Sequence, residues 1–216
     1  MDKKTIIQET KQYIESVFRA EGSGHDWFHI DRVTRMAMRL GAEEGCDLFI
    51  VEMAALLHDL EDWKLVEADR ANERKVNNWL SSVGVEDAVA ASIIQVIDQV
   101  SYKGAGVDTP VLTIEAAVVQ DADRLDAIGA IGVARTFAYG GHKNRLIYDP
   151  EIDPVMHADF QEYKKNTTPT INHFHEKLLL LKDRMNTAAA KRIAVGRHQF
   201  MADYLTQFFD EWNADR

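Results

Sequence analysis

Apolar residues recur at helical spacing along nearly the whole chain, and this periodicity limits the fold more than any other feature. Ile6, Ile7, Thr10, Tyr13, Ile14, Val17 and Phe18 form one stripe at i, i+3, i+4, i+7, stopped by Gly22 and Gly24. Ile30, Val33, Ala37 and Leu40 form a second, ended by Gly41 and Gly45. Ile50, Met53, Ala54, Leu57 and Leu60 form a third. Val76, Trp79, Leu80 and Val83 follow, with Gly84 in the place of a C-terminal glycine cap. Two more helices are expected over residues 86–100 and 113–128, separated by a loop from Tyr102 to Pro110. Phe200, Met201, Tyr204, Leu205, Phe208, Phe209 and Trp212 make the clearest stripe. Alternation of β-branched residues between turn dipeptides is nearly absent. The spacing therefore predicts an all-α fold in a single domain over residues 1–216, with a long irregular loop at 140–169 before the last two helices, within 170–212. That loop holds three of the four prolines and Gly140-Gly141.

Bulk properties narrow the function. A formal net charge of −10 argues against a nucleic-acid polymer as partner, because a phosphate backbone must be met by clustered Lys and Arg. A small anionic substrate stays open, since a metal ion can reverse the sign of one pocket. Cys46 is the only cysteine, so no intramolecular disulfide can form. The N-terminus leads into an amphipathic stretch and not an apolar signal core. No apolar run approaches the ~18 residues that span a bilayer, so no membrane partner is expected. The expected location is cytoplasmic.

Three clusters carry chemistry. His58-Asp59 follows an almost wholly apolar turn, so both side chains emerge at the edge of the core, where unpaired charge is costly. A divalent cation would satisfy them, and imidazole with carboxylate suits Mn²⁺, Fe²⁺, Co²⁺ or Mg²⁺. A hydrogen-bonded packing pair would satisfy them too. The second cluster is His25-Asp26-Trp27-Phe28-His29-Ile30-Asp31-Arg32-Val33. His25 and His29 share a face if the helix already starts at His25. Asp26 either orients His29 or caps the helix. Trp27 and Phe28 either stack a base or join the core. The third cluster is Gln120-Asp121-Ala122-Asp123-Arg124-Leu125-Asp126, in which Asp123 faces apolar company while Asp121 and Arg124 are expected on a solvated face. Glu61 lies i+3 from His58, and Asp62 lies i+4 from it, so either acid could handle an attacking water. Lys103 lies among loop glycines. Lys177 and Arg184, seven apart, would share a helix face. Arg197 opens the last stripe, and His142 sits in the glycine loop. Arg32 is expected to pair with an acid such as Asp123 or Asp126.

The ordered contexts His-Asp-x-x-His-x-x-Arg-Val at 25–33, Leu-Leu-His-Asp-Leu at 56–60 and Asp-Ala-Asp-Arg-Leu-Asp at 121–126 resemble the HD-domain phosphohydrolase superfamily. Ser101-Tyr102-Lys103-Gly104, Gly140-Gly141, His173-Phe174-His175-Glu176-Lys177-Leu178 and Arg197-His198-Gln199-Phe200-Met201 look like its bacterial branch acting on (deoxy)nucleoside triphosphates. The resemblance implies an all-helical fold. It makes His29, His58, Asp59 and Asp123 the metal ligands of one divalent ion, with Mn²⁺ ahead of Mg²⁺, Co²⁺, Ni²⁺ or Fe²⁺. His25 becomes a pocket residue, Glu61 and Asp62 the water-handling acids, and Lys103, Lys177 and Arg197 substrate contacts, to which Arg184 and His142 are added by their positions in the sequence. The implied activity is pyrophosphohydrolysis of a nucleotide to monophosphate and pyrophosphate. A nucleotidase or phosphodiesterase on the same scaffold is the alternative, and a metal-free helical binding or signalling module is the alternative of another class. The apolar face of the last helix suits either the core or a homodimer.

Overall fold

A computed structural model of the chain describes residues 2–19, 26–60, 75–100, 107, 109–156 and 167–215. Every regular element among them is helical, as the periodicity predicts. They are α1 (Lys3–Phe18), α2 (Trp27–Glu44), α3 (Leu48–Leu57), α4 (Lys75–Ser82), α5 (Asp87–Ile97), α6 (Ile114–Asp126), α7 (Gly129–His142), α8 (Asn172–Glu176), a 3₁₀ helix (Leu178–Arg184) and α9 (Ala188–Trp212). The chain divides into two compact units, one of Met1–Tyr102 with Pro110–Asp123, the other of Lys103–Thr109 with Arg124–Arg216.

In the first unit, α3 is the central element. Seven of its ten residues are buried, from Phe49 to Leu57. A helix apolar on every side must be surrounded, and α1, α2 and α5 pack against it. Its start is fixed by Asp47, whose carboxylate accepts from the backbone N–H groups of Phe49 at 2.9 Å and Ile50 at 3.4 Å. α1 begins the same way on Asp2 and α2 on Asp26. α4 lies on α5, and Trp79 of α4 stacks on Tyr13 of α1 with ring centroids 4.0 Å apart.

In the second unit, α9 packs on α7 and on the 3₁₀ helix. Phe137, Phe174, Tyr204 and Phe208 interlock along its inner side. The irregular stretch starts later than the glycine pair suggests, because α7 runs through Gly140 and Gly141 to His142. Gly140 serves close packing and not loop freedom: a Cβ there would lie 2.3 Å from the Thr170 hydroxyl. The two ends of the irregular stretch meet, with Thr170 and Ile171 donating backbone N–H bonds to the carbonyls of Leu146 (2.8 Å) and Ile147 (2.9 Å). Buried Glu176 holds the same stretch by accepting from the Val155 N–H and the Thr168 hydroxyl, each at 3.0 Å.

The expected pair of C-terminal helices is instead one turn of α8, the 3₁₀ segment and the long α9. Lys177 breaks the first from the second, with φ −143° and ψ −59°. Lys177 and Arg184 therefore do not share an α-helical face. In a 3₁₀ helix, with three residues per turn, positions seven apart diverge by roughly a third of a turn.

Candidate metal centre

His29 stands in the first turn of α2, and the cap of that helix fixes it there. Asp26 accepts the His29 N–H at 2.8 Å, so Asp26 is an N-cap and the helix starts at Trp27. His25, expected one turn before His29, lies outside the described residues, as do Glu61, Asp62 and Lys103. α3 ends at Leu57, with His58 as its C-cap. Phe28 is exposed and Trp27 half-buried, which places neither in the core.

The His58 ring is oriented by a backbone group. Its Nδ1 lies 2.7 Å from the Ala55 carbonyl, which can only accept, so Nδ1 carries the proton and donates. In the neutral ring Nε2 then presents a lone pair. That nitrogen is buried, has no hydrogen-bond partner among the described residues, and lies 3.4 Å from Asp59 Oδ1 and 4.0 Å from Asp123 Oδ1. His29 Nε2 lies 3.4 Å from Asp59 Oδ2 and 3.6 Å from Asp123 Oδ1. The two imidazoles meet edge to face with centroids 5.3 Å apart. Atoms from His29, His58 and Asp59 fall within 4.8 Å of one another, and Asp123 approaches from the more open side, its side chain 28% exposed.

These distances fit a shared cation. Two ligand atoms about 2.1 Å from one ion stand about 3.0 Å apart at a right angle and about 4.2 Å apart when opposed. A lone pair aimed at carboxylates repels them, and buried charge of one sign is costly. A divalent ion among the four groups removes both penalties, and mixed N/O donors suit first-row divalent metals.

α6 brings in Asp123, and its surroundings differ from expectation. Asp121 and Arg124 are buried rather than solvated. Arg124 donates to the Arg184 carbonyl and to the Thr109 hydroxyl at 2.7 Å. Asp126 pairs with Arg135 at 2.9 Å. Arg197 donates to the Leu125 carbonyl, so at least part of its guanidinium engages protein. His142 is the exposed last residue of α7, and Lys177 and Arg184 are half-buried at either end of the 3₁₀ helix. Sequence reasoning missed Gly129, Arg135 and the buried state of Arg124. An arginine two turns after Ala117 and one turn before Ile128, on the same helical face, is the signal that points to burial.

The family model for the HD domain matches residues 27–128, which span all four clustered side chains. YpgQ of Bacillus subtilis is 39% identical over 201 residues, covering 93% of this chain and 90% of YpgQ. Among solved structures, an HD-superfamily hydrolase from Bacillus thuringiensis is 45% identical, with TM-score 0.75 over 99% of this chain and 100% of that one. The chain belongs to the HD superfamily. A Lactobacillus plantarum protein superposes more closely, with TM-score 0.89 at 37% identity over 99% of this chain and 100% of that one. YpgQ has been crystallised in complex with ADP, and that structure is 38% identical with TM-score 0.76, over 95% of this chain and 97% of its own. The protein is accordingly an HD-superfamily hydrolase, a metal-dependent phosphohydrolase. No helix among the described residues is long and apolar enough to cross a membrane.

Proposed function

We propose that this chain hydrolyses (deoxy)nucleoside triphosphates to the monophosphate and pyrophosphate, at a centre in which His29, His58, Asp59 and Asp123 hold one divalent ion, Mn²⁺ first. The observation that carries the reading is His58. Its proton is committed to Ala55, and its buried second nitrogen faces two carboxylates. A divalent ion in such a site lowers the pKa of water and polarises a phosphoryl oxygen.

The protein's own groups supply the rest. Phosphoryl transfer needs positioning and neutralisation of charge more than covalent help. The Ala55 carbonyl holds the His58 ring, so that ring need not reorganise when a ligand arrives, and Asp26 holds the His29 backbone in the first turn of α2. Glu61 and Asp62, directly after the His58–Leu60 turn, are the acids proposed to orient the attacking water and take its proton. Lys103, Lys177 and Arg184 are the proposed cations for the triphosphate, with His142 and His25 as further substrate contacts. The complex of YpgQ with ADP supports a nucleotide ligand.

The deciding experiment is a product assay on a nucleotide panel with Mn²⁺ present. Pyrophosphate is the expected product. Inorganic phosphate alone would make the enzyme a nucleotidase, and turnover confined to cyclic or dinucleotide diesters would make it a phosphodiesterase. His58→Ala and Asp59→Ala should each abolish turnover while the helical circular-dichroism signal persists. Turnover that survives either change overturns the ligand assignment.

A further inference from the structure

The three residues that follow Asp123 in α6 are each tied to other segments, two of them by an arginine side chain from outside the helix. Arg124 reaches out to Thr109 and to the Arg184 carbonyl. The Leu125 carbonyl accepts from Arg197, and Asp126 pairs with Arg135. Helix ends leave their last carbonyls without intrahelical donors, and a cation there also answers the negative end of the helix dipole. The Leu125 carbonyl already accepts the Ile128 N–H at 3.2 Å, and Arg197 of α9 adds a cationic donor to the same oxygen.

Gly129 makes the approach feasible. It follows α6 by three residues, with φ +77°, a conformation that L side chains rarely adopt. A Cβ at this position would lie 3.0 Å from both Cβ and Cγ of Arg197 and 3.3 Å from its Cδ. The aliphatic stem of Arg197 thus lies directly over the bare glycine, and its guanidinium reaches the helix end beyond. Asp123 is the most exposed of the four clustered side chains and stands 3.6 and 4.0 Å from the two imidazole nitrogens. It depends most on where its helix turn is held.

We infer that Arg197, seated on Gly129, is a positioning residue that fixes the last turn of α6 and thereby sets how well Asp123 completes the metal centre. The inference rests on the ligand assignment proposed above. It gives Arg197 a role that acts through Asp123 rather than through the substrate.

The test uses the full chain, stripped of metal and titrated with Mn²⁺ alone by electron paramagnetic resonance, with Co²⁺ absorption as the spectroscopic check. Arg197→Met keeps the stem over Gly129 and removes the donors. It should weaken Mn²⁺ binding by about tenfold, the usual scale for losing a group that orients a ligand, and should change the Co²⁺ spectrum. Arg197→Lys, which retains one donor, should recover most of the affinity. In an Asp123→Ala background the Arg197→Met change should add less than about twofold, because residues acting through one another are not additive. Wild-type affinity and an unaltered Co²⁺ spectrum in Arg197→Met overturn the inference. So does an effect of equal size with and without Asp123, or a raised KM for nucleotide with Mn²⁺ affinity intact. If Arg197→Met does not fold, Gly129→Ala displaces the same stem and must weaken Mn²⁺ binding in its place. A wild-type chain that takes up no Mn²⁺, or a His58→Ala variant that binds it as well as wild type, sinks the ligand assignment itself and is thereby told apart.

Discussion

His58 shows how one backbone contact decides the chemistry of a side chain. With Nδ1 donating to the Ala55 carbonyl, the ring has one tautomer and one direction. His29 is placed through its backbone, whose N–H donates to Asp26 and so fixes the first turn of α2. Cys46 is the opposite case, a reactive group made inert by its surroundings. Burial, reinforced by the carboxylates of Glu115 and Glu44, pushes its thiol up to about 11 from 9.0. Two units correspond to about a hundredfold less thiolate at pH 8, and the thiolate is the nucleophile. Alkylation of Cys46 by iodoacetamide at pH 8 should therefore run about a hundredfold slower than that of an unperturbed thiol, and should keep rising up to pH 11. A labelling rate like that of free cysteine would show that its surroundings do not raise the thiol.

Among the helices, α3 and α7 illustrate opposite uses of small and apolar residues. α3 buries seven of its ten residues, and its C-terminal end delivers His58 and Asp59 to the edge of the core. α7 carries glycine where helix propensity alone would favour alanine by about 1 kcal/mol. The contact with Thr170 reverses that preference. Gly140→Ala should destabilise the protein by about 1–3 kcal/mol, the range for overpacking a tight contact, as read from urea denaturation. Combining it with Thr170→Ala should restore most of the loss. A neutral or stabilising Gly140→Ala would mean that α7 and Thr170 are not in contact.

For the molecule as a whole, the linkage between metal and stability gives a check independent of catalysis. A ligand that binds only the folded state stabilises it by about 2.7 kcal/mol at a hundred times its Kd. Mn²⁺ at that excess should raise the unfolding free energy of the wild type by about this amount, and should leave His58→Ala unchanged. Equal stabilisation of both would show that Mn²⁺ binds elsewhere on a chain whose net charge is −10. With the same acidity, an anionic ligand would have to be drawn by a local site and not by the overall field.

The sequence by itself determined the helical class and the core stripes, because period 3.6 is a local property of side-chain order. It also marked His29, His58-Asp59 and Asp123, since charged residues inside apolar runs stand out without coordinates. It misjudged what depends on contacts between distant segments. Gly140-Gly141 looks like a loop in the chain, but Thr170 makes it a packed helix end. Asp121 and Arg124 read as solvated, yet both are buried, with Thr109 and Arg184 supplying the acceptors for Arg124. Arg197 stands out in the chain only as a cation, and the contact with the Leu125 carbonyl that a bare glycine allows it, across 72 positions of chain, is set by the fold. Periodicity records which face of an element is buried. Only the tertiary structure decides which polar groups the buried ones meet, because hydrogen bonds are directional and their partners are set by the fold.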